Sequence, residues 1–293
     1  MKIGIYGQSN NEITIKYVNV LIDLLIKKNA EILFEEKFYE FFKKSNTHTT
    51  YQTFSSHKDL DTATDLFFSV GGDGTFLRSI TFIRDSGIPI IGINTGRLGF
   101  LATIQKEDIE QAVEKIFQKK YQLVERSLLC VKTDMNNEEI NETDFALNEI
   151  SVSRKNTASM ITLETYLDDE YLTTYWSDGL IIATPTGSTG YSLSCNGPII
   201  SPQSKNIVLT PIAPHSLSVR PLVIPDKTKI ELLIESRANE VLLTLDSRIT
   251  TISDATKIII EKCDFTIKTV RLIDQTFIKT LREKLFWGED KRN

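Results

Sequence analysis

The sequence changes its grammar at about residue 121, and that change limits the folds open to it. Before it, strand and helix patterns alternate. "KIGIYG" reads as a strand, and between Asn11 and Lys28 the residues Tyr17, Val18, Leu21, Leu24 and Leu25 recur at helical spacing, with Asn29 as the stop. Residues 31–34 read as a second strand and Glu36–Lys44 as a short helix. Residues 45–65 are polar and read as a mobile loop. Their two histidines, His48 and His57, lack the well-spaced acidic or thiol partners of a metal site. A strand at Leu66–Val70, a helix from about Thr75 to Asp85, a strand at Ile88–Asn94 and a helix at about Glu107–Gln118 complete this half. The β-α-β rhythm is that of a doubly wound parallel sheet.

After Tyr121 the pattern is almost purely β. Eight short runs, from "LVERSLLCVKTD" to "TKIIIEKCDFTIKTV", are separated by turn residues, as in a β-sandwich or a related β-rich domain. Helical character returns from Asp274 to Trp287, where Phe277, Ile278, Leu281, Leu285 and Phe286 share one broad face. The expected organisation is an α/β domain over 1–122, joined by a C-terminal helix within 272–293 that packs back on it. The remaining 123–271 form an all-β, sandwich-like domain, with a tight joint near 120–124.

With 293 residues, 41% of them apolar and 25% charged, the chain has the composition of a soluble globular protein. A net charge of −5 argues against a broad nucleic-acid binder. No apolar run approaches the roughly 20 residues that span a bilayer, and no signal-peptide core is visible. Cys130, Cys195 and Cys263 lie far apart without a CxxC pair, which fits a reducing cytoplasm and offers no metal site.

Four segments carry chemistry. "SVGGDGTF" places the glycines Gly71, Gly72 and Gly74, with Thr75, in a strand-to-helix turn of the kind that cradles phosphate. Its centre, however, is Asp73. A carboxylate there either accepts a proton from a hydroxyl nucleophile or holds a cation that neutralises phosphate. A P-loop is excluded, because G-x-x-x-x-G-K-[ST] is absent from the chain. "GINTGRLGFL" (Gly92–Leu101) follows the next strand and lies on the same sheet edge, as a plain connection or as a second ligand turn. Within "DFALNEISV", alternation puts Glu149 on an apolar face, unless a bulge or strand end releases it to solvent. In "WSDGLIIATPTGSTGYSLSCNGP", small residues allow close approach, hydroxyls supply hydrogen bonds and Tyr191 offers a stacking face for a base. No G-x-S-x-G elbow is present, and His215 has no evident triad partner.

Taken in order, "GGDGT", "GxNxGxLGFL", "NE", "DGLxxxTPTGSTxYSLSxxGP" and "SxRPxVxP" (Ser218–Pro225) resemble the motif set of the bacterial NAD kinases across roughly residues 66–225. The resemblance implies ATP-dependent phosphorylation of NAD at its adenosine 2′-hydroxyl, giving NADP. Asp73 would be the proton acceptor and Gly74 part of the same dinucleotide site, with Arg78 facing the dinucleotide phosphates. Asn148 and Glu149 would hold the dinucleotide, and Asp178 would reach a ligand across a subunit interface. Thr186, Thr189, Gly190, Tyr191 and Ser194 would wrap the nucleotide, and Ala213 would add a backbone contact. A divalent cation, Mg²⁺, would enter bound mainly to ATP, and the family's dimers or tetramers imply a homo-oligomer.

Three departures stand out. Trp176 replaces a basic residue common two positions before the DG aspartate, and Gly190 stands where alanine is usual. Asp246-Ser247-Arg248 replaces "DGQ", so the glutamine's ligand role is not carried over to Arg248. A lipid kinase sharing the glycine turn should lack "TPTGSTGY". A Rossmann dehydrogenase should show G-x-G-x-x-G after the first strand, which is missing.

Overall fold

The computed structural model describes residues 1–7, 12–45, 50–60, 63–135, 137–156 and 159–287. Two compact units emerge, one of residues 1–125 and 267–293, the other of residues 126–266.

In the first unit the chain runs β1 (Lys2–Gly7), α1 (Glu12–Lys27), β2 (Glu31–Glu35), α2 (Glu36–Ser45), β3 (Gln52–Phe54), β4 (Leu66–Gly71), α3 (Asp73–Ile83), β5 (Ile90–Asn94), β6 (Ile104–Gln105) and α4 (Ile109–Phe117). The strands pair in parallel in the order β5-β4-β1-β2-β3, with β6 beside β5. Parallel sheets covered on both faces need strands that are apolar throughout, and "LFFSVG" of β4 is buried at every position. The helices repay this with apolar stripes: α1 buries Ile15, Val18, Leu21, Ile22 and Leu25 at helical spacing.

Residues 45–65 depart from the expected loop. They contain β3, which extends the parallel sheet beside β2, and a 3₁₀ turn at His57–Asp59 capped by Ser56. Phe54 anchors the segment, buried against Phe67 and Phe82, and Tyr51, just before the strand, packs against Phe34 and Tyr39. Two aromatics among polar residues create no periodicity to read. His57 lies against Arg84, while His48 falls outside the described residues.

The second unit contains most of β7 (Tyr121–Thr133), α5 (Glu138–Glu142), β8 (Phe145–Ala146), β9 (Glu149–Arg154), β10 (Ile161–Leu167), β11 (Glu170–Ser177), β12 (Gly179–Ala183), α6 (Tyr191–Ser194), β13 (Asn206–Ile212), β14 (Leu222–Pro225), β15 (Ile230–Ser236), β16 (Glu240–Leu245), β17 (Arg248–Ser253) and much of β18 (Ile258–Leu272). One antiparallel sheet has the order β14-β13-β12-β9-β16-β17. The other pairs β11-β10-β15-β18, with β7 beside β18. Val152, Leu180 and Leu243 of the first pack with Leu163, Leu232 and Ile260 of the second in one core, the expected sandwich.

The last residues of β18 belong to the first unit, where Thr269 pairs in parallel with Ile90. Helix α7 (Phe277–Leu285) follows, capped by Thr276. Its predicted apolar face is only partly used. Leu281 is buried, while Ile278 and Phe286 are exposed.

The cysteine reading also needs correction. Cys130 and Cys263, on the neighbouring strands β7 and β18, form a disulfide with Cα atoms 5.1 Å apart, and Cys195 alone is free. A separation of 133 residues hides the pairing from any local motif. Thiol titration in denaturant should detect one thiol before reduction and three after it; three at the outset would show the pair reduced.

Candidate functional site

In the first unit, register fixes where the glycine turn sits. Gly71 ends β4 opposite Asn94, the end of β5, so the turns that follow both strands start at the same level of the sheet edge. Asp73 is the first residue of α3, where the unpaired N–H groups of a helix start favour a negative charge. Its carboxylate is already engaged. Oδ2 accepts the Phe100 N–H at 2.8 Å, and Oδ1 accepts those of Leu101 and Ala102 at 3.0 and 2.9 Å. Asp73 thus ties the second turn to the first.

The approach is close enough that a Cβ at Gly99 would overlap the carboxylate. Asn94 shapes the same loop from within. Its Nδ2 donates to the Arg97 carbonyl and its Oδ1 accepts from Gly96 N–H. Gly72 and Gly74, by contrast, are exposed, and nothing lies within 4 Å of where their Cβ atoms would stand. Packing does not require these two glycines; an open backbone that a ligand can approach does. Thr75 is buried one residue further on, and Arg78 is an exposed residue of α3 whose positive charge lies near Tyr6.

The second unit repeats the device. Between β8 and β9 the turn Leu147-Asn148 leads into Glu149. Asp246, whose side chain is 1% exposed, accepts the N–H groups of Leu147, Asn148 and Glu149 at 2.9, 2.7 and 3.2 Å. Sequence reasoning passed over Asp246 because its partners lie about a hundred positions away. The only signal was the departure at Asp246-Ser247-Arg248. Arg248 braces the approach to the turn instead of facing a ligand. Its guanidinium donates to the carbonyls of Thr143 and Phe145 and lies over the Phe145 ring.

Glu149 is 7% exposed, so the strand break that precedes it does not release it to water. Burial first, then the neighbouring Asp246 carboxylate, push its carboxyl up to about 8, against one hydrogen bond from the Tyr191 backbone. Burial also raises Asp246, opposed by its backbone N–H donors and Arg248. With three N–H donors and a guanidinium 4.0 Å away, Asp246 is the member of the pair that carries the charge, and Glu149 is neutral at pH 7. Asn148 Oδ1 and Glu149 Oε2 are buried without a hydrogen-bond partner. Such atoms are rare in folded proteins and mark where a ligand or water binds.

The hydroxyl-rich stretch closes around this pair. Thr184 donates from its hydroxyl to the Leu147 carbonyl at 2.6 Å and from its N–H to that of Asn148 at 2.8 Å. Ser188, Thr189 and Ser192 spend their hydroxyls on Pro185, Thr186 and Thr210, so they shape the loop. Thr186 is buried beside Arg126. Gly190 borders both Asn148 and Glu149: a Cβ there would meet Glu149 Oε2 at 2.9 Å and Asn148 Nδ2 at 3.3 Å. Tyr191 and Ser194 begin and end the single turn of α6, both exposed.

Asp178 lies elsewhere in the unit, at a cavity of ≈ 630 Å³ that also contains Trp176 and His215. Its carboxylate pairs with Arg154 at 2.8 Å. The Asp178 N–H donates to the Ile212 carbonyl, which sets Ala213 (φ 44°, a rare conformation for alanine) beside it. Among the described residues no group of three or more His, Cys, Asp or Glu could hold a metal ion, and no helix is long and apolar enough to cross a membrane.

Removing Asp246 should therefore be costly without touching the hydrophobic core. Asp246→Ala strands three backbone N–H groups, and urea unfolding should show a loss of about 2–3 kcal/mol.

The model of the ATP-NAD kinase N-terminal domain matches residues 3–121, and that of the ATP-NAD kinase C-terminal domain matches residues 147–272. The chain is 54% identical over 294 residues to an NAD kinase of Christiangramia forsetii, each sequence being covered in full. Among solved structures it is similar to yeast NADH kinase complexed with NADH (TM-score 0.87, 25% identity, 100% of this chain and 89% of that one). It is also similar to an NAD kinase from Archaeoglobus fulgidus in complex with ATP (TM-score 0.73, 25% identity, 97% and 99%).

Proposed function

The chain belongs to the ATP-NAD kinase family, and we propose that it transfers the γ-phosphoryl group of ATP to the 2′-hydroxyl of the adenosine ribose of NAD, giving NADP. The observation that supports this most directly is the pair of buried, unpartnered oxygens, Asn148 Oδ1 and Glu149 Oε2. Carried on adjacent residues, they suit the vicinal hydroxyls of a ribose, each of which brings a donor. The neutral Glu149 carboxyl can donate in return. Thr186, Thr189, Gly190, Tyr191 and Ser194 surround the nucleotide, the Tyr191 ring supplying a stacking face.

Phosphoryl transfer asks for alignment and charge neutralisation more than for covalent help from the protein. The open backbone at Gly72 and Gly74 supplies N–H donors to phosphate oxygens. Asp73 Oδ2, which accepts one N–H, keeps a lone pair for the attacking hydroxyl and takes its proton as the phosphoryl group departs from ADP. Gly71 and Thr75 hold the turn. Mg²⁺ enters as part of the Mg–ATP substrate and neutralises its phosphates. Asp178 and Ala213 serve a ligand at a subunit interface in a cytoplasmic homodimer or homotetramer.

Incubation with Mg–ATP and NAD, followed by separation of the nucleotides, tests the reading. NADP and ADP should appear in equal amounts, and ADP without NADP would overturn it.

A further inference from the structure

A cavity of the first unit, ≈ 320 Å³, opens at the carboxyl ends of β1 and β2. Its walls are aromatic. Tyr6, next to last in β1, packs obliquely on Phe82 of α3, with centroids 5.1 Å apart, while Phe38 and Phe41 come from α2. Lys37 and Arg78, both exposed, add two positive charges. Glu35, the last residue of β2, adds a buried carboxylate. Its Oε2 accepts the Phe38 N–H at 2.8 Å, and no described residue engages Oε1.

We propose that this cavity seats the nucleoside of the phosphoryl donor. The inference rests on the NAD kinase reading above and deepens it. In open parallel sheets ligands bind beyond the carboxyl ends of the strands, and an acid ending the second strand is well placed for ribose hydroxyls. A planar base fits among aromatic rings from two helices and a strand, where stacking replaces contact with water. The volume lies near the lower end for small-molecule sites, enough for a nucleoside but not for its three phosphates as well.

The phosphates therefore leave the cavity, and the fold gives them a direction. Gly7 at the end of β1 is opposite Val70, the residue before the glycine turn, so cavity and turn follow adjacent strands. Neighbouring strands are about 4.8 Å apart, a distance that a triphosphate spans easily. Lys37 and Arg78 meet the charge along the way. Arg78, which lines the cavity with Tyr6, becomes a residue of the donor and not of the dinucleotide.

Kinetics with each substrate varied in turn test this. Glu35→Gln and Phe41→Ala should raise the KM for ATP about tenfold, and Lys37→Ala about threefold, with the KM for NAD within about twofold of wild type. Calorimetric titration with a non-hydrolysable ATP analogue, without NAD, should show the same weakening. Lys37→Ala alters an exposed side chain, so it carries the test if Phe41→Ala melts early. A rise in the KM for NAD alone would assign the cavity to the dinucleotide and overturn the proposal, as would unchanged constants for both substrates. A wild type that makes no NADP overturns the reading of the reaction only; the titration still decides who occupies the cavity.

Discussion

Asp73→Asn is expected to lower the turnover of NADP formation by a factor of about 10²–10⁴, the usual worth of a general base. The substitution, however, changes two things. The carboxylate that would take the proton is also the group that accepts three backbone N–H bonds from Phe100, Leu101 and Ala102. An asparagine can keep the two bonds to Oδ1, but its NH₂ would then face the Phe100 N–H, donor against donor. Part of any loss of rate would therefore come from a displaced loop. Gly99→Ala separates the two roles. It leaves the carboxylate in place and drives a Cβ into it, so the loop must move while the base survives. If Asp73 acts as proton acceptor, Asp73→Asn should lose far more turnover than Gly99→Ala at comparable losses of melting temperature. Equal losses would reduce Asp73 to a clamp. Wild-type rates in Asp73→Asn would remove it from the chemistry altogether.

The double duty of Asp73 also shows which part of the molecule can be read along the chain. A carboxylate in a phosphate-type turn stood out because the anomaly is local, three glycines and an acid within four positions. Its reason is not local, since the donors it accepts from lie 27 to 29 residues further on. Asp246 is the stronger case, because nothing near it in sequence announces that it organises the turn before Glu149. The parallel sheet was legible, since strands buried on both faces are mostly apolar, as β4 is but for Ser69. The strand at Gln52–Phe54 was not, because only one of its three residues is buried and no alternation shows. Helix α7 errs in the opposite direction. Periodicity reports an apolar stripe but not what covers it, and Ile278 and Phe286 remain exposed. Where two residues meet only through tertiary structure, as Cys130 and Cys263 do, composition and local spacing do not reveal the contact.

Glu149 should make the protein less stable as the pH rises, and Glu149→Gln should remove that dependence. The carboxyl titrates at about 8 in the folded chain against a reference of 4.5. An acid raised on folding binds its proton more tightly in the native state. Its contribution is thus fully present below pH 4.5 and is lost progressively as the pH climbs to about 8. At 1.36 kcal/mol per pH unit, the interval sets a ceiling of about 5 kcal/mol on the stability surrendered by pH 9. Glutamine is uncharged at every pH and keeps a donor and an acceptor, so it mimics the neutral acid. Urea unfolding from pH 5 to 9 should show wild type and variant nearly equal at pH 5 and the variant clearly more stable at pH 9. The ribose contact predicts a kinetic counterpart. The KM for NAD should rise above pH 8 in wild type, as the charged carboxylate loses its ability to donate, and should stay flat in Glu149→Gln. Parallel stability curves for the two proteins would mean that Glu149 is ionised at neutral pH, and the charge would then have to be balanced inside a pocket that already holds Asp246. The turn is best understood as a division of labour between two buried acids. Asp246 is the acid placed to carry charge because three N–H groups and Arg248 oppose its desolvation, and Glu149, with one N–H, stays neutral and free to bind.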